Sequence, residues 1–542
     1  LAGRTTLIKA TLAAIPNHNM QIFDLPKATQ NKIDSIQRNF LWGSTEEKRK
    51  CHLLNWNKVT SPKNQGSLGL YKTSYKNKAF STSLAWRYLN NKEALWVKIP
   101  HSKYDRIAPR NNRLIPNPGS SHIWKNIHNG RKLCQKGINW IIGNGENINL
   151  WNNRWINQGN NLRNSIQGPL QNGEEDMKVS SIIQHGSFNL STLSFEIPED
   201  IIQKIHSTYI QQSQPGRDKI SWNSPGHNSF SIKAAYDLAS LQDTRTEENN
   251  LDYKWIWKCN TLNKLKYFMC LLTLNRLPTA TFLAKRNICT SDTCTICGTE
   301  KEDIKHILFY CTYSKEIWRQ FHIKHNYPSL DNGLTTFHWL KHQLKSNKSF
   351  NQYITWPIFL PFLLWYLWTT RNERIFHKSS PYPNISKVIN STQEFLFLSN
   401  WSPTRSPKRT ILIKWEPPDV ETYKLNIDGS CLGSLGKGGT GGVFRNSNGK
   451  WILGFSKGFA NATNIQMEAM SLLQGLQLAI QKRLIPLVIE TDCQDLINLI
   501  NNEKMLYRNI IDDCRFLLSE VGAPPLKHAF REANGVADAL AK

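Results

Sequence analysis

Residues 423 to 430, Tyr-Lys-Leu-Asn-Ile-Asp-Gly-Ser, constrain the fold of this chain more than any other stretch. Tyr423, Leu425 and Ile427 alternate with Lys424, Asn426 and Asp428, the period of two that marks a strand with one apolar face. A half-buried strand is expected, ending on the Asp428 carboxylate, with Gly429 and a glycine-rich run beyond it. An acid at a strand end, flanked by small residues, can hold a metal ion against a phosphate if partner carboxylates follow.

They do follow. Thr440 to Arg445, the turn Asn446-Ser-Asn-Gly449 and Trp451 to Gly458 read as two hairpin-linked strands. Asn464 is placed to cap a helix whose apolar face is Ala469, Leu472, Leu473, Leu476, Ala479 and Ile480. Leu487 to Glu490 reads as a short buried strand, Cys493 to Asn501 and Asn509 to Val521 as helices, Leu526 to Phe530 as a strand and Ala533 to Leu540 as a last helix. The order β-β-β-α-β-α-α-β-α specifies a mixed α/β domain with five strands. Four acids fall at its element ends: Asp428, Glu468, Asp492 and Asp538. Converging carboxylates repel one another unless a cation sits among them. Mg²⁺ takes hard oxygen ligands and shares them with substrate phosphate. Two such ions about 3.5–4 Å apart can activate a water and stabilise a leaving oxygen. A single acid of this kind more commonly solvates a surface, which is the reading for Asp495, Asp512 and Asp513.

A second cluster lies upstream: Cys294-Thr-Ile-Cys297, then His306, then Cys311. A Cys-x-x-Cys turn aims two thiolates at one point, and His-x₄-Cys at a helix start can close a tetrahedron around Zn²⁺. Four ligands without an open position imply structural zinc, against the alternative of chance burial. Cys289 breaks the spacing and is left out. The chain has 11 cysteines, an odd number, and no secretory signal, which suits a reducing compartment, nuclear or cytoplasmic, better than a disulfide framework.

The remaining sequence is basic. Of the net charge of +27, residues 421–542 carry only +1 and the preceding 420 carry +26. Basic excess interleaved with 19 Trp, 16 Tyr and 22 Phe is the footprint of a polyanion binder. Residues 1–90 read as a helical basic segment, with apolar helical spacing over Thr5 to Ala14 and Thr29 to Leu41 and a turn at Gly66-Ser-Leu-Gly-Leu. Residues 95–250 form a Trp/Asn-rich connecting region, expected as short strands and tight turns around Gly143-Asn-Gly145. Within it, Gln212 to Asp218 reads as a linker and Ser229 to Leu238 as a strand entering a helix. Residues 252–320 hold the cysteine cluster, and 321–420 form a helical connector and linker rich in proline and serine at its end. The run Ile354 to Trp368 is shorter than the roughly 20 residues of a membrane span and holds Pro357 and Pro361, so a buried helix and no membrane role are expected.

Asn-Ile-Asp-Gly-Ser, Gln466-Met-Glu-Ala-Met, Glu490-Thr-Asp-Cys and Arg531-Glu-Ala-Asn-Gly-Val-Ala-Asp-Ala-Leu-Ala together resemble the ribonuclease H fold of plant retroelements. The resemblance implies cleavage of the RNA strand of RNA–DNA hybrids with two Mg²⁺ ions, or Mn²⁺ in their place. Asp428 and Asp492 would hold the metals, Glu468 and Asp538 would complete their shells, and Glu468 would meet a 2′-hydroxyl. Thr463 and Asn464 match positions that touch the nucleic-acid backbone. Many members carry a histidine in the loop before the last acid. Here Arg531 stands in that place, and His528 falls in the preceding strand. The sequence also ends four residues after Asp538, which shortens the last helix.

Trp255-Ile-Trp257, Arg276-Leu-Pro-Thr and Trp318 around the cysteine cluster resemble the zinc-binding domain that follows reverse transcriptase in plant LINE-type elements. Leu1-Ala-Gly-Arg-Thr-Thr-Leu-Ile-Lys, Ile15-Pro, Phe40-Leu-Trp-Gly and Gly66-Ser-Leu-Gly-Leu are similar to the segment after the polymerase palm, and Trp365-Tyr-Leu-Trp-Thr-Thr-Arg-Asn to the connector before the ribonuclease H domain. No Tyr-x-Asp-Asp-like signature occurs, so polymerisation by these residues alone is not expected, and Leu1 implies a portion upstream. The leading expectation is a hybrid-cleaving, nucleic-acid-binding endonuclease with a multidomain build, helical and zinc-binding regions preceding the α/β domain. The alternatives are a nucleic-acid-binding remnant without catalysis and a zinc-dependent adaptor that binds no hybrid.

Overall fold

The computed structural model describes residues 1–105, 119–156, 161–166, 168–171, 173–194, 197–211, 216–223, 229–241, 251–325, 335–350, 353–377, 384–399, 413–432, 437–460, 462–502 and 507–542. Parts of the expected linkers, at 212–215, 378–383 and 400–412, lie outside them, and helix Ile385–Ser399 forms between the last two. The chain falls into two compact units, Leu1–Leu84 with Asn112–Gly130 and Tyr236–Lys408, and Ala85–Asn111 with Arg131–Ala235 and Arg409–Lys542.

The first unit is helical. Helices Ala2–Leu7, Lys27–Trp42, Asn263–Thr273 and Trp356–His377 contribute to one apolar core that includes Ile8, Leu41, Leu68, Leu265, Met269, Ile317, Phe359 and Leu363. Most of the apolar run at 354–368 is buried in that core, and from Trp356 on it lies in the 22-residue helix Trp356–His377. No helix among the described residues is long and apolar enough to cross a membrane.

The Trp/Asn-rich region, whose residues are divided between the two units, departs from the expected run of strands. It contains a 16-residue helix, His122–Gly137, whose last residues lead into strand Ile138–Ile141, antiparallel to Lys219–Trp222. Asparagine side chains take over much of the backbone bonding that a ladder would supply. Asn149 Oδ1 accepts from the amides of Trp151 and Asn152, and Asn153 Oδ1 accepts from that of Asn149. Asp218, placed by sequence in a linker, accepts from the amides of Gly143, Gly145 and Asn147 at 2.8 Å each. The expected strand before Ile232–Leu241 is absent among the described residues; only the helix forms.

The C-terminal part of the second unit is a mixed five-stranded sheet. Its elements are β1 (Tyr423–Cys431), β2 (Gly438–Arg445), β3 (Trp451–Phe459), α1 (Asn464–Lys482), β4 (Leu487–Thr491), α2 (Gln494–Asn501), α3 (Arg508–Glu520), β5 (Leu526–His528) and α4 (Gly535–Ala541). The sheet order is β3-β2-β1-β4-β5, with β1–β2–β3 antiparallel and β1–β4–β5 parallel. The element order matches the sequence reading.

One expectation about β1 fails. As the central strand it is buried on both faces, so Lys424, Asn426 and Asp428 are as enclosed as Leu425 and Ile427. The odd positions pack on α1, with Leu425 and Ile427 against Leu472 and Leu476 in one core. The even positions face the other side. There Lys424 and Asn426 both donate to the Glu490 carboxylate, Trp415 Nε1 donates to Asn426 Oδ1 at 2.8 Å, and Ser430 donates to the Ala541 carbonyl in α4. Burial of polar groups is tolerable because they bond one another.

Candidate active site and metal centre

Three carboxylates meet beside the end of β4; β1 does not end on Asp428 as expected but runs on to Cys431, because Gly429 to Cys431 stay paired with β2. Asp428 lies in β1, Glu468 in the second turn of α1, and Asp492 directly after β4, which runs parallel to β1 with Ile427 opposite Thr491. Two glycines allow the approach. A Cβ on Gly429 would lie 2.2 Å from the Glu468 amide nitrogen, so only glycine lets α1 sit on the strand. A Cβ on Gly441, paired with Asp428, would lie 2.4 Å from the Ala541 nitrogen, so α4 rests on glycine backbone. Asn534, buried just before α4, donates its Nδ2–H to the Ile427 carbonyl at 2.8 Å and fixes where that helix starts.

Asp428, Glu468 and Asp492 each bring a carboxylate oxygen within 4.8 Å of the others. Glu468 Oε2 is buried without a hydrogen-bond partner. Burial, then the neighbouring acids, raises Glu468 to about 9 and Asp428 to about 7. Without a cation the cluster therefore relieves its repulsion by holding protons. An orphaned buried oxygen among hard oxygen donors is the chemistry that suits Mg²⁺ or Mn²⁺.

Asp538, the fourth expected acid, sits half-buried in α4 outside this trio. Its Oδ1 accepts from Arg531 Nη2 at 3.3 Å and its Oδ2 from Lys542 Nζ, and these cations hold its carboxyl below the ordinary range. Arg531 thus reaches the cluster's fourth acid, and His528 is the last residue of β5, with Nε2 3.2 Å from the Asp492 carbonyl. Thr463 and Asn464 exchange expected roles. Thr463, extended at φ −117° and ψ 157°, is the true N-cap and accepts from the Gln466 amide; Asn464 is the exposed first helical residue. Tyr507, unnoticed in the sequence, hydrogen-bonds the Thr463 hydroxyl.

Asp512 and Asp513 are not merely solvated. Asp513 is buried in α3 and accepts from the Tyr209 hydroxyl, while Asp512 pairs with Lys219 at 3.4 Å, Arg508 and Arg515. Asn509 Nδ2 also donates to the Tyr209 carbonyl at 2.9 Å, so the Trp/Asn-rich region braces α3 within this unit.

In the first unit the four metal-type residues of the cysteine cluster converge. Cys294 Sγ lies 4.0 Å from Cys311 Sγ, Cys297 Sγ lies 3.4 Å from His306 Nε2, and the four donor atoms lie within 4.8 Å of one another. Gly298, at φ +70°, closes the Cys-x-x-Cys turn by donating to the Cys294 carbonyl at 2.8 Å. The contact with Cys294 draws the Cys311 thiol down to about 7, so a thiolate is available near neutrality. His306 turns Nδ1 to Glu300 Oε2 at 2.8 Å, which leaves Nε2 facing the sulfurs. A carboxylate behind a ligating histidine is the usual device for fixing its tautomer. Sequence spacing gave no sign of Glu300, nor of buried Glu302, which pairs with buried Arg371 and accepts from the Ala280 amide at 2.7 Å. The donor set, three thiols and one imidazole, suits tetrahedral zinc.

Family models match both regions: "zinc-binding in reverse transcriptase" over residues 230–318 and "reverse transcriptase-like" over 426–542. The chain is 26% identical over 555 residues to an Arabidopsis thaliana protein provisionally named a ribonuclease H protein, covering 100% of this chain and 88% of that one. It is 30% identical over 146 residues to an uncharacterized mitochondrial protein of Arabidopsis thaliana, covering 26% of this chain and 93% of that protein. Among solved structures it is similar to the ribonuclease H1 of Halobacterium salinarum, at 23% identity and a TM-score of 0.22, covering 22% of this chain and 94% of that one. LC11 ribonuclease H1, solved in complex with an RNA/DNA hybrid, is similar at 19% identity and a TM-score of 0.21 over the same shares. The chain belongs to the retrotransposon-type reverse transcriptase and ribonuclease H proteins, with a zinc-binding region followed by a ribonuclease H-like domain.

Proposed function

We propose that the C-terminal domain cleaves the RNA strand of RNA–DNA hybrids, and that the chain derives from a LINE-type retroelement. The observation that carries the reading is the buried trio Asp428, Glu468 and Asp492, with one Glu468 oxygen unpartnered. Asp428, Glu468 and Asp492 would hold divalent cations, with Asp538 at the rim. Such cations, when bound, supply Lewis-acid activation of water and charge stabilisation for the departing oxygen. The chain's own groups do the rest. Asp428 and Asp492 present carboxylate oxygens from β1 and from the residue after β4, so no backbone reorganisation is needed on binding. Glu468, reaching the cluster from α1, is the group set to meet a 2′-hydroxyl and so to prefer RNA. Arg531, exposed beside Asp538, offers a guanidinium to a phosphate. Exposed Asn464 and half-buried Thr463 border the same helix end and would meet the backbone. Cys294, Cys297, His306 and Cys311 would hold a structural zinc, the regions 1–90, 95–250, 252–320, 321–420 and 421–542 being read as successive modules.

The test is incubation of the full chain with a labelled hybrid and Mg²⁺. Cleavage confined to the RNA strand, lost by about a thousandfold or more in Asp428→Asn, is expected. Cleavage that persists in that variant would remove the carboxylate trio from the mechanism. One observation favours a second reading, binding without hydrolysis: Asp538 is already neutralised by Arg531 and Lys542. Under that reading the hybrid binds with steep salt dependence and stays whole.

A further inference from the structure

The first unit carries a basic pocket that neither the zinc cluster nor the carboxylate trio uses. A cavity of about 430 Å³ is lined by Thr6, Lys9, Lys63, Trp257, Lys266 and Tyr267, together with Ala10 and Asn263. Three of its eight lining residues are lysines and none is a carboxylate. The lysines come from separate parts of the chain: Lys9 from the π-turn Ile8–Leu12, Lys63 from the 3₁₀ turn Lys63–Gln65, and Lys266 from the helix Asn263–Thr273. Their convergence is therefore a product of the fold and not of local sequence.

The fold holds them there. Trp257 donates its Nε1–H to the Lys63 carbonyl at 3.2 Å, and the Lys63 ammonium sits 4.3 Å from the centre of the same indole ring. Lys266 donates to the Trp257 carbonyl at 3.1 Å, and Tyr267 packs edge-on against Trp257 with centroids 5.1 Å apart. Asn263 opens an 11-residue helix with no acid in its first turn and no side-chain cap, so that helix end adds partial positive charge. Burial, then the charge of Lys63, lowers Lys9, and burial, then the charge of Lys266, lowers Lys63. Like charges gathered in a partly enclosed space oppose folding unless an anion joins them.

We propose that this pocket binds a phosphate of a nucleic-acid backbone, with Lys9, Lys63 and Lys266 as its ligands and the Trp257–Tyr267 pair as the wall that positions them. A cavity of this volume is in the range of built ligand sites, about 300–1,000 Å³. The net charge of +27 makes a polyanion the available counterion. The pocket gives that diffuse charge a specific point of attachment.

The experiment measures anisotropy of a labelled single-stranded oligonucleotide on the full chain, without Mg²⁺ so that cleavage plays no part. A Lys9→Gln/Lys63→Gln/Lys266→Gln variant is compared with a charge-matched variant of exposed lysines elsewhere in the unit, Lys27→Gln/Lys32→Gln/Lys48→Gln. Loss of about tenfold or more in affinity, with a salt slope lower by about 2, is expected for the pocket variant only. Equal losses in the two variants would overturn the pocket and leave bulk charge as the cause. Inorganic phosphate added at constant ionic strength should compete weakly; full competition at low millimolar concentration would instead assign the site to free phosphate. The thermal midpoint of Lys9→Gln/Lys63→Gln should rise in the absence of nucleic acid, because repulsion is relieved, and a fall would make the lysines structural. Failure of hybrid cleavage bears on none of these outcomes.

Discussion

At Cys294, Cys297, His306 and Cys311 the donors have neighbours that suit their charge, whereas Asp428, Glu468 and Asp492 face one another. His306 is backed by Glu300, and the turn before it is closed by Gly298. The carboxylate trio has the opposite character: a buried orphan oxygen on Glu468 and two acids pushed toward neutrality and above. A cluster of soft ligands would, with zinc bound, be part of how its unit stays folded. A cluster with hard ligands and an unmet charge is held ready by a domain that tolerates it. Removing a ligand should therefore have opposite effects on stability at the two places.

The largest effect is expected at the thiolate site. Structural zinc sites carry an apparent binding free energy of about 10–16 kcal/mol, comparable with the whole stability of a domain. Cys294 and Cys311 belong to the apolar core that also contains Leu265, Phe359 and Leu363. Strong chelation, or Cys294→Ser, should release one zinc per chain and abolish the cooperative melting of the helical unit. Retention of that transition after complete zinc release would break the comparison.

The carboxylate site should respond the other way. Asp428 and Glu468 keep protons in the folded state that the unfolded chain has already lost, so the metal-free protein loses stability as pH rises from about 4 toward about 7 for Asp428 and about 9 for Glu468. Below about pH 4 neither contributes, since both states are then protonated. In buffer free of Mg²⁺ and Mn²⁺, with zinc left in place and no chelator added, the midpoint of the C-terminal domain should fall by roughly 10 °C between pH 5 and pH 9. Added Mg²⁺ should restore it mainly at the alkaline end. Asp428→Asn should raise the metal-free midpoint at pH 8 while cleavage is lost. A midpoint that is flat with pH would mean that the trio is not strained.

What could be read from the sequence divides along the same line. The order of elements in the C-terminal domain was legible because each strand and helix there carries its own apolar period and turn residues. The metal-type residues were legible because their spacing is local: Cys294 to Cys297 in one turn, His306 to Cys311 in another. The supports were not. Lys424 and Asn426 look like the solvent face of a strand, and only the addition of neighbours on both sides of β1 buries them against Glu490. Asp218 and Asp513 look like loop and surface acids, and become anchors through partners 75 and 304 positions away. Asn464 looked like the cap because both it and Thr463 are good capping residues, and the choice rests on backbone angles that composition does not reveal.

Glu300 provides a smaller and more local test. Loss of the carboxylate behind a ligating histidine typically lowers metal affinity by about 10–100-fold. Glu300→Gln should weaken zinc by that amount in competition with a chromogenic chelator, leaving the melting of the zinc-loaded chain almost unchanged. Glu302→Gln should behave differently despite lying two residues on. It leaves Arg371 buried without its charge partner, so it should lower stability at saturating zinc. Equal effects on zinc affinity from the two variants would mean that Glu300 does not orient His306.

The least effect is expected where the carboxylate domain is supported from far along the chain. Tyr209 donates to Asp513 in α3, Asn509 donates back to Tyr209, and Tyr507, one residue before α3, holds the hydroxyl of the Thr463 cap on the helix that carries Glu468. Tyr209→Phe removes one hydrogen bond and little volume, so the domain should lose about 1 kcal/mol. If the brace only stabilises, the fall in midpoint is the same at pH 5 and pH 9. If it also sets the end of α1, Glu468 moves relative to Asp428 and Asp492, the repulsion among them changes, and the slope of stability with pH changes with it. A parallel shift of the whole pH curve is the expected result, because Thr463 retains its own bond to the Gln466 amide when α3 loosens. A change in slope would show that the strain at the trio is tuned from outside the sheet, and would extend the carboxylate site to Tyr209.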